Sequence, residues 1–282
     1  MRDVKTLLTG LEIGESPRWH DGRLWLSNWG TQEVRAVTTG GDSEVVVRVP
    51  TTLPFSIDWL SDGRLLVVSG PEALLLRQEQ DGSLVTHADL GEIARGCNEI
   101  VVDGRGNAYV NGSDFDPTNP QAAVPGKIAL VTADGAAREV ADGFAFPNGM
   151  AVTPDNSTLI VAESHAQRLT AFEIEADGSL SNRRVWASLG EGVPDGICID
   201  AEGAVWYADV PNRRCVRVRE GGEVLQTVDV DRGCFACMLG GAEGRTLFIA
   251  AAVWHGMEHM LDGETTGVVL TVDAPAPHAG WP

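Results

Sequence analysis

Short apolar runs alternate with polar turns along the whole chain, and one pattern recurs six times. In each repeat an apolar strand leads into a turn containing Gly, Asp, Asn or Glu, and a second strand rich in β-branched and aromatic residues follows. The repeats lie at residues 16–28, 56–69, 99–111, 149–163, 196–209 and 236–252. Apolar runs joined by Asp-Gly and similar dipeptides are typical of β-hairpins.

Most repeats continue into further β-like segments, such as residues 33–38 and 44–49 after the first one. About four strands per repeat is the size of a propeller blade. No amphipathic helical pattern interrupts the series, which disfavours βαβ architectures. The pattern predicts an all-β fold, a six-bladed β-propeller with four-stranded blades, formed as a single domain by residues 1–282.

The last repeat lacks an outer strand, because only a Pro-rich tail follows residues 267–273. Residues 4–9 precede the first repeat and have no partner within it. We expect this N-terminal strand to close the last blade beside residues 267–273, since closure of the ring removes an edge that could aggregate.

The net charge of −19 and the pI near 4.6 argue against nucleic acid or anionic membranes as partners. No apolar stretch is long enough to span a bilayer and no leader-like segment follows Met1, so we expect a cytoplasmic protein. Five cysteines do not suit a disulfide framework, and Cys234-x-x-Cys237 has no second pair at zinc-finger spacing. The sequence does not indicate an oligomeric state.

One register position of the repeats carries most of the candidate chemistry. When the six repeats are aligned on their inner strands, one shared position lies at the start of each strand. The residues at this position are Glu15, Phe55, Asn98, Asn148, Asp195 and Ala236. Inner strands line the channel of a propeller, so these positions are expected to converge near its axis.

Two converging carboxylates without compensation repel each other or force one of them to take up a proton, and a divalent cation resolves the conflict. Glu, Asp and two amide carbonyls form an oxygen-only set that suits a hard cation, and Ca²⁺ fits best, with Mg²⁺, Mn²⁺, Zn²⁺ and Fe²⁺ as alternatives. A blander interpretation is that Asn-Gly and Asp-Gly are turn formers and that Glu15 is a solvated loop acid. This interpretation does not explain why four of the six repeats carry a polar oxygen-bearing residue at the same position.

Several of these segments, taken in order, resemble the senescence-marker-protein, gluconolactonase and luciferin-regenerating-enzyme family. They are GESPRW at residues 14–19, NE at 98–99, FPNGMA at 146–151, PDGI at 194–197 and residues 237–247. The resemblance runs from about residue 14 to residue 272. It implies a six-bladed propeller with a divalent metal held by Glu15, Asn148 and Asp195, and with Asn98 beside the metal in contact with substrate.

The chain departs from this family where sugar-lactone members often carry Arg two residues before that Asn and Asp directly after it. In this sequence the two positions hold Gly96 and Glu99, and Arg95 is displaced by one residue. Recognition of a sugar is therefore in doubt, whereas the metal set is complete. We interpret Asn98, Glu99 and Arg18 as substrate-binding candidates, although Arg18 could instead pair with Glu15 or anchor the channel loop by a salt bridge.

Other histidines and aromatic residues have simpler interpretations. His165 is expected to be an exposed loop residue. Phe55, Phe115, Trp254 and His255 either shape a pocket mouth or pack between blades. His255 and His259 lack the Glu of a zinc-protease helix, so we do not expect a second metal there.

A metal with an open coordination site can polarise a carbonyl and activate water. The sequence therefore predicts a metal-dependent hydrolase of a small cyclic ester, with Asp195 as ligand and candidate base and Asn98 as the second catalytic candidate. Two alternatives remain open. The same site could hydrolyse an organophosphate or another ester, or the chain could be a non-catalytic calcium-binding propeller.

Overall fold

The computed structural model describes residues 3–114, 124–256, 259–260 and 262–282. Regular structure in these ranges is almost entirely β, and the strands form six antiparallel sheets arranged in a ring. This is the predicted six-bladed β-propeller. No helix in the described ranges is long and apolar enough to cross a membrane.

Each blade is an antiparallel sheet whose strands follow one another outward from the axis. From the axis outward, blade 1 contains β2 (Gly14–His20), β3 (Arg23–Asn28), β4 (Glu33–Val37) and β5 (Ser43–Arg48); blade 2 contains β6 (Phe55–Trp59), β7 (Leu65–Ser69), β8 (Leu74–Gln78) and β9 (Leu84–Asp89); blade 3 contains β10 (Gly96–Val102), β11 (Ala108–Ser113), β12 (Gly126–Val131) and β13 (Ala137–Phe144). Blade 4 contains β14 (Pro147–Val152), β15 (Thr158–Glu163), β16 (Arg168–Ile174) and β17 (Leu180–Ser188); blade 5 contains β18 (Pro194–Asp200), β19 (Val205–Asp209), β20 (Arg214–Val218) and β21 (Val224–Asp229); blade 6 contains β22 (Gly233–Gly240), β23 (Thr246–Ala252), β24 (Gly267–Asp273) and β1 (Lys5–Leu11).

The N-terminal strand closes the ring as the sequence predicted. β1 pairs antiparallel with β24, from Lys5 opposite Thr271 to Leu11 opposite Gly267. The first and last parts of the chain therefore share blade 6, and its outermost position is filled.

The first hairpin shows why Asp-Gly turns mark the repeats. Asp21 and Gly22 connect β2 to β3 with φ of 48° and 71°, and His20 pairs directly with Arg23. Two successive positive φ values define the type I′ turn, whose twist matches that of the flanking strands.

Apolar side chains pack mainly between neighbouring blades. One cluster joins blades 2 and 3 through residues such as Leu66 and Ile100, and another joins blades 4 and 5 through residues such as Ile160 and Tyr207. All five cysteines are buried free thiols, and four of them belong to the cluster that joins blades 5, 6 and 1. Stability therefore comes from contacts between blades as well as within them.

The C-terminal tail contains a short strand that the sequence did not indicate. β25 (His278–Ala279) pairs with the inner strand β18, so the sheet of blade 5 has five strands. Trp281 then forms a bridge with Val152 at the end of β14. The tail thus lies at the end of the channel where the inner strands finish.

Candidate functional site

The polar residues at the shared position of the repeats lie near the beginnings of four inner strands. We call this end of the propeller the site face. Glu15 is on β2, Asn98 on β10, Asn148 on β14 and Asp195 on β18. Glu15 is only 5% exposed, and the other three are half-buried. Asn98 Nδ2 donates to Asn148 Oδ1 at 3.2 Å, which joins blades 3 and 4 directly.

The glycines of the Asn-Gly and Asp-Gly pairs lie inside strands rather than in turns. A Cβ on Gly149 would stand 2.6 Å from the Asp195 carbonyl oxygen, and one on Gly196 would stand 2.5 Å from the Ala236 Cβ. Neighbouring inner strands can approach this closely only without side chains at these positions. The turn-former interpretation is therefore wrong for Asn148-Gly149 and Asp195-Gly196.

A break in strand pairing accompanies each polar position. Pairing skips residues 98–99 on β10, 148–149 on β14 and 195–196 on β18. On β2 it skips residues 16–17, directly after Glu15, and Ser16 has φ of 48°. β6, which carries Phe55, pairs without a shift, and β22 has a smaller shift next to Ala236. Bulges commonly re-aim side chains at functional sites.

The carboxylates at the site face lie where their charged forms are disfavoured. Burial, then the charge of Glu99, raises the pKa of Glu15 to about 8. Burial, followed by the charges of Glu15 and Glu99, raises the pKa of Asp195 well above its usual range. Among the described residues, none donates a hydrogen bond to the Asp195 carboxylate. The Ser16 N–H, which donates to Glu15 Oε2 at 2.9 Å, and the charge of Arg18 oppose the shift of the Glu15 pKa but do not outweigh it, so the charged forms of both acids are disfavoured.

Arg18 follows Glu15 by three residues on β2, and its side chain is 5% exposed. Its Nη2 donates to the Ile100 carbonyl at 2.6 Å and lies 3.4 Å from Glu99 Oε2, while its Nε lies 3.6 Å from Asp58 Oδ2. Burial raises the pKa values of Asp58 and Glu99, and the charge of Arg18 opposes both shifts. Arg18 therefore compensates Asp58 and Glu99 directly.

The donor set fits a hard divalent cation. Glu15 and Asp195 would supply two negative charges, and the side-chain carbonyl of Asn148 a neutral oxygen. Within the described ranges no three His, Cys, Asp or Glu side chains form a metal-binding group, so a cation at the site face would depend on the two carboxylates together with amide oxygens and water. The observation that favours a cation is that the charged forms of both acids are disfavoured by burial and by repulsion from neighbouring carboxylates.

The remaining candidates make packing or surface contacts. His165 is exposed and stacks on Phe146 at 4.5 Å. Phe55 is fully buried and its carbonyl accepts the Trp29 indole N–H at 2.7 Å. The other candidates are placed as follows: Trp254 packs edge-on against Phe235, His255 pairs with Glu264 at 3.5 Å, His259 pairs with Asp262 at 2.9 Å, and Phe115 lies outside the described residues.

Sequence reasoning missed two polar residues that support the site. Asp58 accepts the Val102 N–H at 2.8 Å, and Asn111 accepts the Glu99 N–H at 3.1 Å while donating to the Asn148 carbonyl at 2.6 Å. Each interrupts an otherwise apolar strand, which is a signal for a buried polar side chain with a partner.

Comparison with known proteins supports the resemblance seen in the sequence. The family model described as the SMP-30/Gluconolactonase/LRE-like region matches residues 13–253. L-arabinolactonase of Azospirillum brasilense is 25% identical over 277 residues, which cover 95% of this chain and 90% of that protein.

Solved structures share the fold over nearly the whole length. A luciferin-regenerating enzyme matches with a TM-score of 0.85 at 20% identity, covering 99% of this chain and 98% of that one. A calcium-binding protein, regucalcin from Agrobacterium tumefaciens, matches with a TM-score of 0.77 at 20% identity, covering 99% and 95%. Together with the family match over most of the sequence, the ordered motifs and the six blades show that the chain belongs to the SMP-30/gluconolactonase/LRE-like family.

Proposed function

We propose that this protein hydrolyses a small cyclic ester, a lactone, with one divalent cation held at the site face. The observation that carries the proposal is the pair of carboxylates, buried Glu15 and half-buried Asp195, placed with two amides at the mouth of the channel, where burial and mutual repulsion outweigh what compensates their charge. Ca²⁺ suits this oxygen-only set best. The lactonase and the calcium-binding protein among the similar chains support the same conclusion.

In the proposed site, Glu15, Asn148 and Asp195 hold the cation. When bound, the cation supplies Lewis-acid polarisation of the ester carbonyl and lowers the pKa of coordinated water. Asp195 is half-buried and free of hydrogen bonds from the described residues, so its carboxylate would be able to accept a proton from water as well as hold the cation. Asn98 Nδ2, now directed at Asn148, lies where it can turn to donate to a substrate oxygen.

Steady-state kinetics with purified protein test this function. The substrates are an aldonolactone, an alkyl γ-lactone and a phosphotriester, each measured with added Ca²⁺ and with a chelator. We expect lactone turnover that disappears with the chelator and returns with Ca²⁺. Turnover of the phosphotriester alone would assign the site to the organophosphate alternative, and calcium binding without any turnover would assign it to the non-catalytic one.

A further inference from the structure

Asn98 occupies a weakly fixed part of its strand. β10 pairs with β11 at Cys97 and again at Ile100, but residues 98–99 have no paired partner between these points. Asn98 is also half-buried, so packing does not confine it fully. Its side chain donates to Asn148, and its backbone follows that of its neighbours: the Glu99 N–H donates to Asn111 Oδ1 at 3.1 Å, while the Glu99 carboxylate and the Ile100 carbonyl are left to a contact from outside the blade.

Arg18 holds both of these residues from blade 1. The guanidinium donates to the Ile100 carbonyl at 2.6 Å and lies 3.4 Å from the Glu99 carboxylate. Its Nη1 donates to the Pro17 carbonyl at 3.0 Å. One side chain therefore joins the bulge of β2 to the bulge of β10. A planar guanidinium can serve these acceptors together, whereas an ammonium group presents a single point of charge.

The guanidinium itself is unavailable to substrate. The Arg18 side chain is 5% exposed, and Asp58 lies 3.6 Å from its Nε. Asp58 in turn accepts the backbone N–H groups of Val102 and Trp59, both at 2.8 Å, which extends the connection into blade 2. Both Arg18 Nη atoms face protein acceptors, and its Nε is buried beside Asp58 without a hydrogen bond, so this side chain acts on its neighbours rather than on a ligand.

We propose that Arg18 is a positioning residue, which sets the location of Asn98 by clamping Glu99 and Ile100 across the channel. This inference rests on the proposed hydrolase function, in which Asn98 contacts substrate. Arg18 thereby acts on the rate through Asn98 and does not contact the reacting atoms. Blades 1, 2 and 3 are held in register at the site face by the same side chain.

Three variants isolate this role. Arg18→Met removes the positive charge and its hydrogen bonds. Arg18→Lys keeps the charge but lacks the planar guanidinium, and Arg217→Met is the matched control. Arg217 is also a buried arginine in an ion-pair network, bonded to Asp200 at 2.6 Å and Glu202 at 2.7 Å in blade 5, far along the strand from the site face. Thermal unfolding of all three reports the general cost of losing a buried ion pair.

Turnover is then measured in wild-type and Asn98→Ala backgrounds. We expect Arg18→Met to lower kcat about 100-fold with KM changed less than about threefold, because a displacement near 1 Å can have an effect of this size. Arg18→Lys should recover part of the loss, and Arg217→Met should leave kcat within about twofold while lowering the Tm similarly. In the Asn98→Ala background the effect of Arg18→Met should shrink below about threefold.

Multiplicative losses in the double variant, or unchanged kcat in Arg18→Met, would overturn the positioning role. A crystal structure of Arg18→Met tests it without turnover. We expect the Asn98–Asn148 hydrogen bond to be lost in this variant and kept in Arg217→Met. If the Asn98–Asn148 hydrogen bond is kept in both variants, the inference fails even if the wild type is an active lactonase. If the wild type has no lactonase activity but Arg18→Met loses this hydrogen bond, the proposed function fails and the positioning of Asn98 by Arg18 stands.

Discussion

At the residue scale, the site face depends on which buried charges have partners. Asp200 and Asp58 each form an ion pair with an arginine, whereas within the described ranges Glu15 and Asp195 form none, and the charge of Arg18 does not outweigh the burial of Glu15. A carboxylate removed from water without compensation destabilises the fold. The difference gives opposite expectations for replacing an acid in the two kinds of environment.

Asp195→Asn should stabilise the cation-free protein, because burial and repulsion from Glu15 and Glu99 raise the pKa of Asp195 in the folded state, so that folding must either protonate this carboxyl or hold it charged against that repulsion. We expect the Tm in chelator to rise by about 2–4 °C per kcal/mol of repulsion removed. Ca²⁺ affinity should fall by more than about 100-fold, since even residues behind a metal ligand can change affinity by 10–100-fold. Calorimetry with Ca²⁺ and thermal unfolding in chelator measure the two effects.

Asp200→Asn is the matched control, because its carboxylate accepts the Arg217 guanidinium at 2.6 Å. In this case the replacement should lower the Tm, since it leaves a buried arginine partly uncompensated. A lower Tm for Asp195→Asn as well would contradict the view that Asp195 is electrostatically unfavourable without a cation.

Asn98→Ala should separate binding of the cation from turnover. An amide is a weaker ligand than a carboxylate, and Glu15 with Asp195 already neutralises a divalent charge. We expect Ca²⁺ binding to persist under saturating conditions while kcat falls about 10²–10³-fold, the usual effect of losing one preorganised donor. Affinity that collapses as far as in Asp195→Asn would make Asn98 a full ligand, and unaffected turnover would leave it only a structural role.

At the element scale, the inner strands are unusual because their ladders break where the polar side chains stand. The sequence repeats predicted the hairpins and the shared register of Glu15, Asn98, Asn148 and Asp195. They could not predict the bulges, because strand pairing depends on the neighbouring strand rather than on local pattern. The turn interpretation of Asn148-Gly149 therefore remained an alternative in the sequence, although its glycine is required by contact with blade 5.

Gly196→Ala should push blades 5 and 6 apart, because the new methyl would lie 2.5 Å from the Ala236 Cβ and 2.7 Å from its Cα. Overpacking of this kind destabilises by about 1–3 kcal/mol. Urea unfolding measures the change. Gly40→Ala is the control, since Gly40 has no positive φ and its nearest contact would be 3.7 Å away; equal losses in the two variants would show that the contact between blades is not responsible.

Glu163 stabilises blade 4 in a pH-dependent way. Burial raises its pKa, but hydrogen bonds from Arg168, the Ala145 N–H and Thr170 outweigh burial and hold the pKa below its ordinary value. This stability is therefore present above the unfolded pKa, near 4.5, and is lost as pH falls through the lower folded pKa.

Glu163→Gln should consequently destabilise by about 1–3 kcal/mol at pH 7, and the difference from wild type should diminish toward pH 3. Urea unfolding across this pH range measures the trend. A gap that stays constant with pH would show that the carboxylate charge is not the source of the stability.

At the scale of the whole molecule, the two ends of the chain pack against different parts of the ring. β1 completes blade 6, which the missing outer strand in the sequence repeats predicted. The C-terminal tail instead crosses the face opposite the site, where Ala201 N–H donates to the Pro277 carbonyl, His278 N–H donates to the Gly244 carbonyl, and Trp281 exchanges backbone bonds with Val152. Its nine residues after Asp273 have no apolar periodicity, so the sequence could not place them.

Deletion of residues 278–282 should therefore weaken the ring without changing the chemistry. It removes β25 and the bridge between Trp281 and Val152, which connect blades 4 and 5, and also the contact of the Trp281 ring with Gly104 in blade 3. We expect a loss of about 1–3 kcal/mol, a Tm lower by roughly 2–4 °C per kcal/mol, and kcat within about twofold of wild type at a temperature where both proteins are folded. Trp281→Ala should reproduce the larger part of the loss. A normal Tm with impaired kcat would reverse this assignment, because it would mean that the tail acts on the site through the channel instead of tying the blades together.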